Sequence, residues 1–364
     1  MSNLLKKLSI ILVLFFIVFG CKQTPTDNTP VIPPSGTNAV FILCEGTWGG
    51  DNSVLTRYDP AAGTVIEDYF GASNTGLRLG DMANNMAVHG DKGFITVSTA
   101  RTVEAIDLKT GKSLGRLILQ GVRQPRKICI INDSVGYVTT YDGNSVVRFD
   151  TRTMALLNEV KVGPVPEGIA YAGGMLFVAN SGKGDIMKDS ADAGTVYVLD
   201  EPSMQIIAKL KPGPNVDELI VNKTKNKLYA QYYHLYSQPD SLGGIVEYDL
   251  MTLKSVGAWR DRFSAYGRKM AFSATGDTLF YLNDTGVALV DLKTGYFNKE
   301  YIKNPAPAEA WYSIGYSGAA ASLWIGNAMN YTNKGEGIVY KLSPGPIKTK
   351  IIETGIVPNT IVFY

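Results

Sequence analysis

Short runs that alternate apolar and polar residues, broken by Gly, Asp and Asn, fill the chain from residue 39 to its end. Alternation with a period of two marks half-buried strands, and no long segment keeps its apolar residues at helical spacing. The runs also repeat. Apolar residues flanking a variable one lead into an Asp and a turn in "TRYDPAAGTV" (Asp59), "EAIDLKTGKS" (Asp107), "VRFDTRTMAL" (Asp150), "YVLDEPSMQI" (Asp200), "VEYDLMTLKS" (Asp249) and "ALVDLKTGYF" (Asp291). A seventh copy, "VYKLSPGPIK", carries Lys341 in the aspartate's place. Successive copies lie roughly 42–50 residues apart, room for four short strands and their turns, which is one propeller blade.

Two further strands align in every unit. An innermost strand reads "ANNMAV", "PRKICI", "PEGIAY", "VDELIV", "GRKMAF", "WYSIGY" and, at the C-terminus, "PNTIVF". A second strand reads "VFILCEG", "GFITVST", "GYVTTYD", "LFVANSG", "LYAQYYH", "LFYLNDT" and "LWIGNAM". The first unit begins at its second strand, and the last copy of the innermost strand stands alone at the C-terminus. Residues 355–364 are therefore expected to complete the blade that residues 39–70 begin, leaving no open sheet edge. The expected fold is all-β, one seven-bladed β-propeller over residues 39–364, closed by pairing of its two ends.

In such a fold the loops entering the innermost strands, and those joining second to third strands, share one face, where ligands usually bind. "QYYHLYSQPD" (231–240) runs into such a loop. Tyr232 is aligned with Glu45, Ser98, Thr140, Asn180, Asn283 and Asn327, all polar, so it is expected to face a pocket. Tyr233, His234 and Tyr236 continue into the loop, and core packing is the alternative for these rings. The starts of the innermost strands supply a ring of Asn84, Arg126, Glu167, Asp217, Arg268, Tyr312 and Asn359, next to Lys127, Glu218 and Lys269. These groups could hold a large polar ligand or simply pair with one another. Tyr141, just beyond a second strand, joins the candidate set. Long insertions "EGTWGGDNS", "NSGKGDIMKDSADAGT", "HLYSQPDSLGG" and "NAMNYTNKGEG" rise from the same face and bring Trp48, Tyr236 and Tyr331, although long surface connections are also rich in Gly and Asn without any function.

A net charge of +2 with no basic block argues against nucleic acid as partner. Cys44 and Cys129 fall in apolar runs without metal-ligand spacing, so they read as buried thiols, a disulfide between them being the alternative. His89 and His234, the only histidines, are expected on opposite faces, which leaves no His-containing triad and no cluster for zinc. No catalytic residue, resident cofactor or metal is assigned. A calcium-dependent hydrolase built on Glu45, Asn180, Asn283 and Asn327 is the enzymatic alternative, and "GKG" at 182–184 is a turn rather than a phosphate loop.

Ahead of the repeats, residues 1–20 read as an export signal: Lys6 and Lys7, then an apolar run over 8–19 too short for a comfortable membrane span. The stretch Val18-Phe19-Gly20-Cys21 resembles a bacterial lipobox, with Cys21 as the lipidated first mature residue, an ordinary cleaved signal being the alternative. Residues 21–38 then form a Pro- and Thr-rich tether with almost nothing to bury. By analogy with lipoprotein sorting, Lys22 after the cysteine points to the outer membrane.

"GYVTTYDGNSVVRFD" and "PEGIAYAGGMLFVANSG" resemble the YVTN-type repeats of YncE-like propellers. With "VFILCEGTWGGDNSVLTRYDP" and "RLGDMANNMAVHGDKGFITV", they are similar to a subgroup of bacterial surface lipoproteins that includes the BtuG-type cobalamin-capturing propellers of Bacteroidota. The resemblance covers most of residues 39–200. It implies a non-enzymatic, monomeric outer-membrane lipoprotein that captures a ligand, a corrinoid among the possibilities, for a TonB-dependent transporter. A protein-interaction propeller without a small-molecule ligand and a metal-assisted lactonase-type hydrolase are the other readings.

Overall fold

The computed structural model describes residues 39–183, 185–263 and 269–364. The signal segment 1–20, Cys21, the tether to residue 38 and Arg268 lie outside the described residues. Described strands run in chain order from β1 (Val40–Cys44) to β28 (Pro358–Phe363), with one short helix, α1 (Tyr69–Ser73). They form seven four-stranded antiparallel sheets. Six take four consecutive strands each; the seventh sets β28 beside β1, β2 (Val54–Asp59) and β3 (Thr64–Ile66). This is a seven-bladed β-propeller, closed by its two ends as the repeats predict.

The closing pair runs in register from Val40 opposite Phe363, through Ile42 opposite Ile361, to Leu43 opposite Thr360, and shifts by one residue before Cys44 meets Pro358. Ala39 and Tyr364 exchange two backbone hydrogen bonds of 2.8 and 2.9 Å beyond it. Ile42 is fully buried and Ile361 nearly so, in a cluster with Tyr58, Trp324 and Val339 that joins this blade to its neighbour. Similar clusters fill every gap between blades. Phe94, Val103, Val138, Val147 and Phe149 form the one between blades two and three, for example.

The recurring aspartate has a structural job. Asp59, Asp107, Asp150, Asp249 and Asp291 each turn one carboxylate oxygen onto the backbone N–H groups two and three residues on, which closes the turn to the outermost strand. At Asp200 the residue two on is Pro202, which has no N–H, and the carboxylate takes the Ser203 hydroxyl instead. Cys44 and Cys129 are free thiols, pushed up to about 12 and about 11 by burial.

The innermost strands are β4 (Ala83–His89), β8 (Pro125–Ile130), β12 (Pro166–Ala172), β16 (Val216–Asn222), β20 (Met270–Phe272), β24 (Trp311–Ser317) and β28, each touching the next around the axis. Between β12 and β16 the approach is close. A Cβ on Gly168 would lie 2.3 Å from the Asp217 carbonyl oxygen, so only glycine fits there.

Candidate functional site

Every innermost strand whose start is described carries the same irregularity. Pairing with the second strand skips Asn84, Arg126 with Lys127, Glu167 with Gly168, Asp217, Tyr312 and Asn359. Each skip is a β-bulge, which leaves its extra residue out of the ladder and re-aims the side chain. The bulges recur at the same level in six blades, so six polar side chains turn together toward the axis. The expected ring is thus assembled by backbone geometry, apart from Arg268, which is outside the described residues.

The ring is narrow. Lys127 on blade three reaches Glu218 on blade five at 3.3 Å, past blade four. Arg126 grips Glu167 with two hydrogen bonds, 2.9 and 3.1 Å. Glu45 accepts from Asn84 at 3.2 Å, from the Tyr312 hydroxyl at 3.4 Å and from Asn359. The Lys269 ammonium donates to Asn359 and, at 3.1 Å, to the Thr360 hydroxyl. Tyr141 lies under two cations, the Arg126 guanidinium at 5.4 Å and the Lys183 ammonium at 4.7 Å.

Burial sets the protonation of this ring. It opposes the charge on Arg126, but Glu167 outweighs it and holds the guanidinium firmly protonated. The same contest at Lys127 is decided by Glu218 and Asp217. Lys269 goes the other way, pushed down to about 7 by burial and by Lys127. Burial and then Glu167 push Asp217 up to about 6. Burial and then Glu45 hold the Tyr312 phenol well above its usual range.

Asp217 yields a stability prediction with a defined sign. Its carboxyl keeps its proton more tightly folded than unfolded, so its contribution is fully present below about 3.8 and is lost as pH rises through about 6. Asp217→Asn removes that loss. Thermal melts are expected to show variant and parent alike in this contribution at pH 3.5 and the variant melting higher at pH 7. Equal differences at both pH values would refute it.

The tyrosine-rich segment requires a correction. Tyr232 and Tyr233 are each only 5% exposed and sit in the cores between blades four and five and between five and six. They form no ledge at the mouth. The sequence alignment behind that expectation slips by one residue in two blades. The backbone N–H groups of Glu45, Ser98, Tyr141, Ser181, Tyr233 and Ala328 all donate to the residue preceding an innermost strand, which puts them at one level. Tyr232 is therefore level with Cys44 and Val97 as well as with Thr140, Asn180 and Asn327, not with Glu45 and Ser98, so its column is mixed rather than uniformly polar. Tyr236 is exposed, and His234 is half-buried with its Nδ1 lacking a partner.

Asn180, Asn283 and Asn327 also depart from the oxygen ring imagined for a metal. All three are buried and fasten local chain. Asn180 donates to Thr195 (3.1 Å), Asn283 spans Asp261 and the Thr285 and Gly286 N–H groups, and Asn327 donates to Glu309 (2.7 Å). Trp48 stands 83% exposed on the β1–β2 connection. Sequence reasoning missed Asn215, Ser181 and Lys183, which line a small hollow of about 10 Å³ with Glu167 and Asp217. Their one signal was position, beside the ends of innermost or second strands.

Likeness to solved structures extends around the ring. A Lactobacillus plantarum protein aligns at 12% identity over 90% of this chain and 99% of its own, with a TM-score of 0.66. A Bacteroides fragilis protein proposed to be a 6-phosphogluconolactonase aligns at 14% identity over 91% and 99%, TM-score 0.65. Hydrazine synthase of Kuenenia stuttgartiensis aligns at 15% identity over 76% and 88%, TM-score 0.61. Identities this low establish a shared propeller fold alone. No curated protein sequence matches the chain. The family model described as "Domain of unknown function (DUF5074)" matches residues 38–296, well over half of the sequence. The chain belongs to the DUF5074 family.

Proposed function

We propose that the protein captures a large polar solute at the mouth of its channel and performs no chemistry on it. The observation that carries this reading is the set of six bulges, which converge donors and acceptors on one opening. Repeating a local irregularity around a rigid scaffold is a way to address one ligand from many sides. The lipobox-like segment ending at Cys21 and the resemblance to surface lipoproteins support a place at the outer membrane, a TonB-dependent transporter as recipient and a corrinoid as solute. Against a hydrolase that relies on paired histidines stands their separation. His89 pairs with Asp133 at 2.7 Å at the far ends of the strands, away from the mouth that His234 adjoins.

Calorimetry of residues 39–364 with cyanocobalamin tests the capture of a corrinoid. Saturable heat is expected, weakened about tenfold or more when Tyr141 is replaced by Ala, the order of loss for one aromatic contact in a desolvated site. An absence of heat rejects a corrinoid as the solute. Turnover of lactones or esters that stops on chelation would replace capture with hydrolysis. The exposed Trp48 and Ile186, 83% and 84% accessible, favour a second reading in which this rim docks another protein. Recovery of a transporter by a Tyr141→Ala variant that no longer binds solute would separate docking from capture.

A further inference from the structure

The mouth lies where the innermost strands start, so the turns from innermost to second strands and from third to fourth strands share the opposite face, the underside. There the blades differ. Among the described residues, the underside turns of blades one to four, counted with the strand residues that flank them, expose no large apolar side chain. In blade five Met251 stands where blades two and three have Lys109 and Arg152, and it is 82% exposed. In blade six an exposed Tyr296 takes the place held by Lys112, Ala155 and Gln205 in blades two, three and four. Blade seven exposes Ile347, the first residue of its outermost strand β27 (Ile347–Ile356). The turns that present these side chains are tight. The Met251 N–H donates to Asp249 at 3.1 Å, and the Asp291 N–H donates to the Tyr296 carbonyl at 2.8 Å.

Charge follows the same arc. Counted in the same way, the underside turns of blades five to seven carry six lysines (Lys223, Lys225, Lys227, Lys254, Lys293 and Lys341) against three aspartates. Those of blades one to four carry four cations against seven carboxylates. The three aspartates are already engaged. Asp277 holds Lys225 and Lys293 at 2.6 and 2.7 Å, Asp249 holds Lys227 at 2.6 Å, and Asp291 accepts from the backbone of its own turn. Lys223, Lys254, Lys341 and Lys348, the last beside Ile347, form no ion pair among the described residues.

Single exposed apolar residues are ordinary, and lysine is depleted from the contacts between proteins. Apolar tips on three adjacent blades, set among lysines, match instead the boundary of a bilayer, where rings such as tyrosine sit at headgroup level and lysines reach the phosphates. The chain also leaves from this side. Ala39 pairs with Tyr364 at the lower end of blade one, which packs against blade seven, and residues 22–38 span at most about 60 Å. We propose that the underside of blades five to seven rests on an anionic phospholipid surface, with Met251, Tyr296 and Ile347 entering its headgroup layer. The contact needs neither solute capture nor an acyl chain on Cys21, and it leaves the mouth open on the far side.

Because the ring closes within residues 39–364, that segment is tested without Cys21, by co-sedimentation with vesicles of phosphatidylcholine alone or with phosphatidylglycerol added. Binding is expected only where phosphatidylglycerol is present. It should weaken by about tenfold or more when Lys254→Glu, Lys341→Glu and Lys348→Glu are combined. Combining Met251→Ser, Tyr296→Ser and Ile347→Ser should weaken it by about tenfold as well. All six side chains are exposed, so both variants should melt as the parent does, which shows that they fold. A polarity-sensitive dye on Met251→Cys should shift to the blue on the anionic vesicles, and the same dye on Thr153→Cys, exposed under blade three, should not. No binding to the anionic vesicles, equal binding to both kinds, or binding unaltered by either variant overturns the proposal. So does a blue shift at Thr153 in place of Met251.

Discussion

Removal of residues 357–364 is expected to abolish cooperative folding rather than trim one blade. Those residues form all of β28, the innermost strand of the blade that β1 begins. Without them β1 loses a full ladder and offers an unpaired edge to solvent. Phe41, Ile42 and Leu43, all fully buried, lose a covering strand. The Trp324 ring loses its edge contact with Phe363 at 5.9 Å, and Glu45 loses the Asn359 amide. Truncating one large buried side chain typically costs about 2–5 kcal/mol, and a whole domain is stable by only about 5–15 kcal/mol. A strand that carries several such contacts exceeds that margin. Urea unfolding followed by tryptophan fluorescence should show no cooperative transition in the truncated chain. A transition at the parental midpoint would show that the ends need not pair. A milder version reads the same joint: Ile361→Ala should lower stability by about 2–4 kcal/mol, less than a fully enclosed site because Ile361 retains a little exposure.

This closure is the feature that sequence carries best. Each blade repeats its turn aspartate because the turn needs a side-chain acceptor for two N–H groups, and that local demand writes the same letter at regular intervals. Counting strands then shows one copy displaced to the C-terminus. The ring of Asn84, Arg126, Glu167, Asp217, Tyr312 and Asn359 is equally legible, since it follows from strand starts. The placement of Tyr232 is not. Telling Tyr232 from Tyr233 requires the register between second and innermost strands to within one residue, and a bulge in the innermost strand changes that register without altering apolar alternation in its partner. Glu45 and Ser98 look level with Tyr232 by letters and are one step beyond it by hydrogen bonds. Partnership is also invisible in sequence. Nothing in the spelling separates Glu167, gripped by a guanidinium, from Asp217, left open 50 positions later in the chain.

That difference between neighbours is what a double-mutant cycle on Arg126 and Glu167 would measure. Glu167 is 5% exposed at its side chain and Arg126 24%, so the pair sits between a surface ion pair and a fully buried one. Arg126→Ala strands the Glu167 charge and removes the cation over Tyr141. A loss of roughly 2–4 kcal/mol is expected, above the range for surface pairs and at or below that for buried ones broken on one side. Removing Glu167 as well should return part of that loss, because the stranded charge goes with it. The singles should therefore sum to more than the double by about 1–3 kcal/mol. The same cycle run on Lys127 and Asp217 should show weaker coupling than the first, since Lys127 gives its hydrogen bond to Glu218 and Asp217 acts on it only through space. Strong coupling in the second cycle, or additivity in the first, would mean that the ring shares its charges evenly. The distinction matters for capture: groups locked to each other shape the opening and hold it rigid, and a group left unmatched gives up no existing partner when it meets an arriving solute.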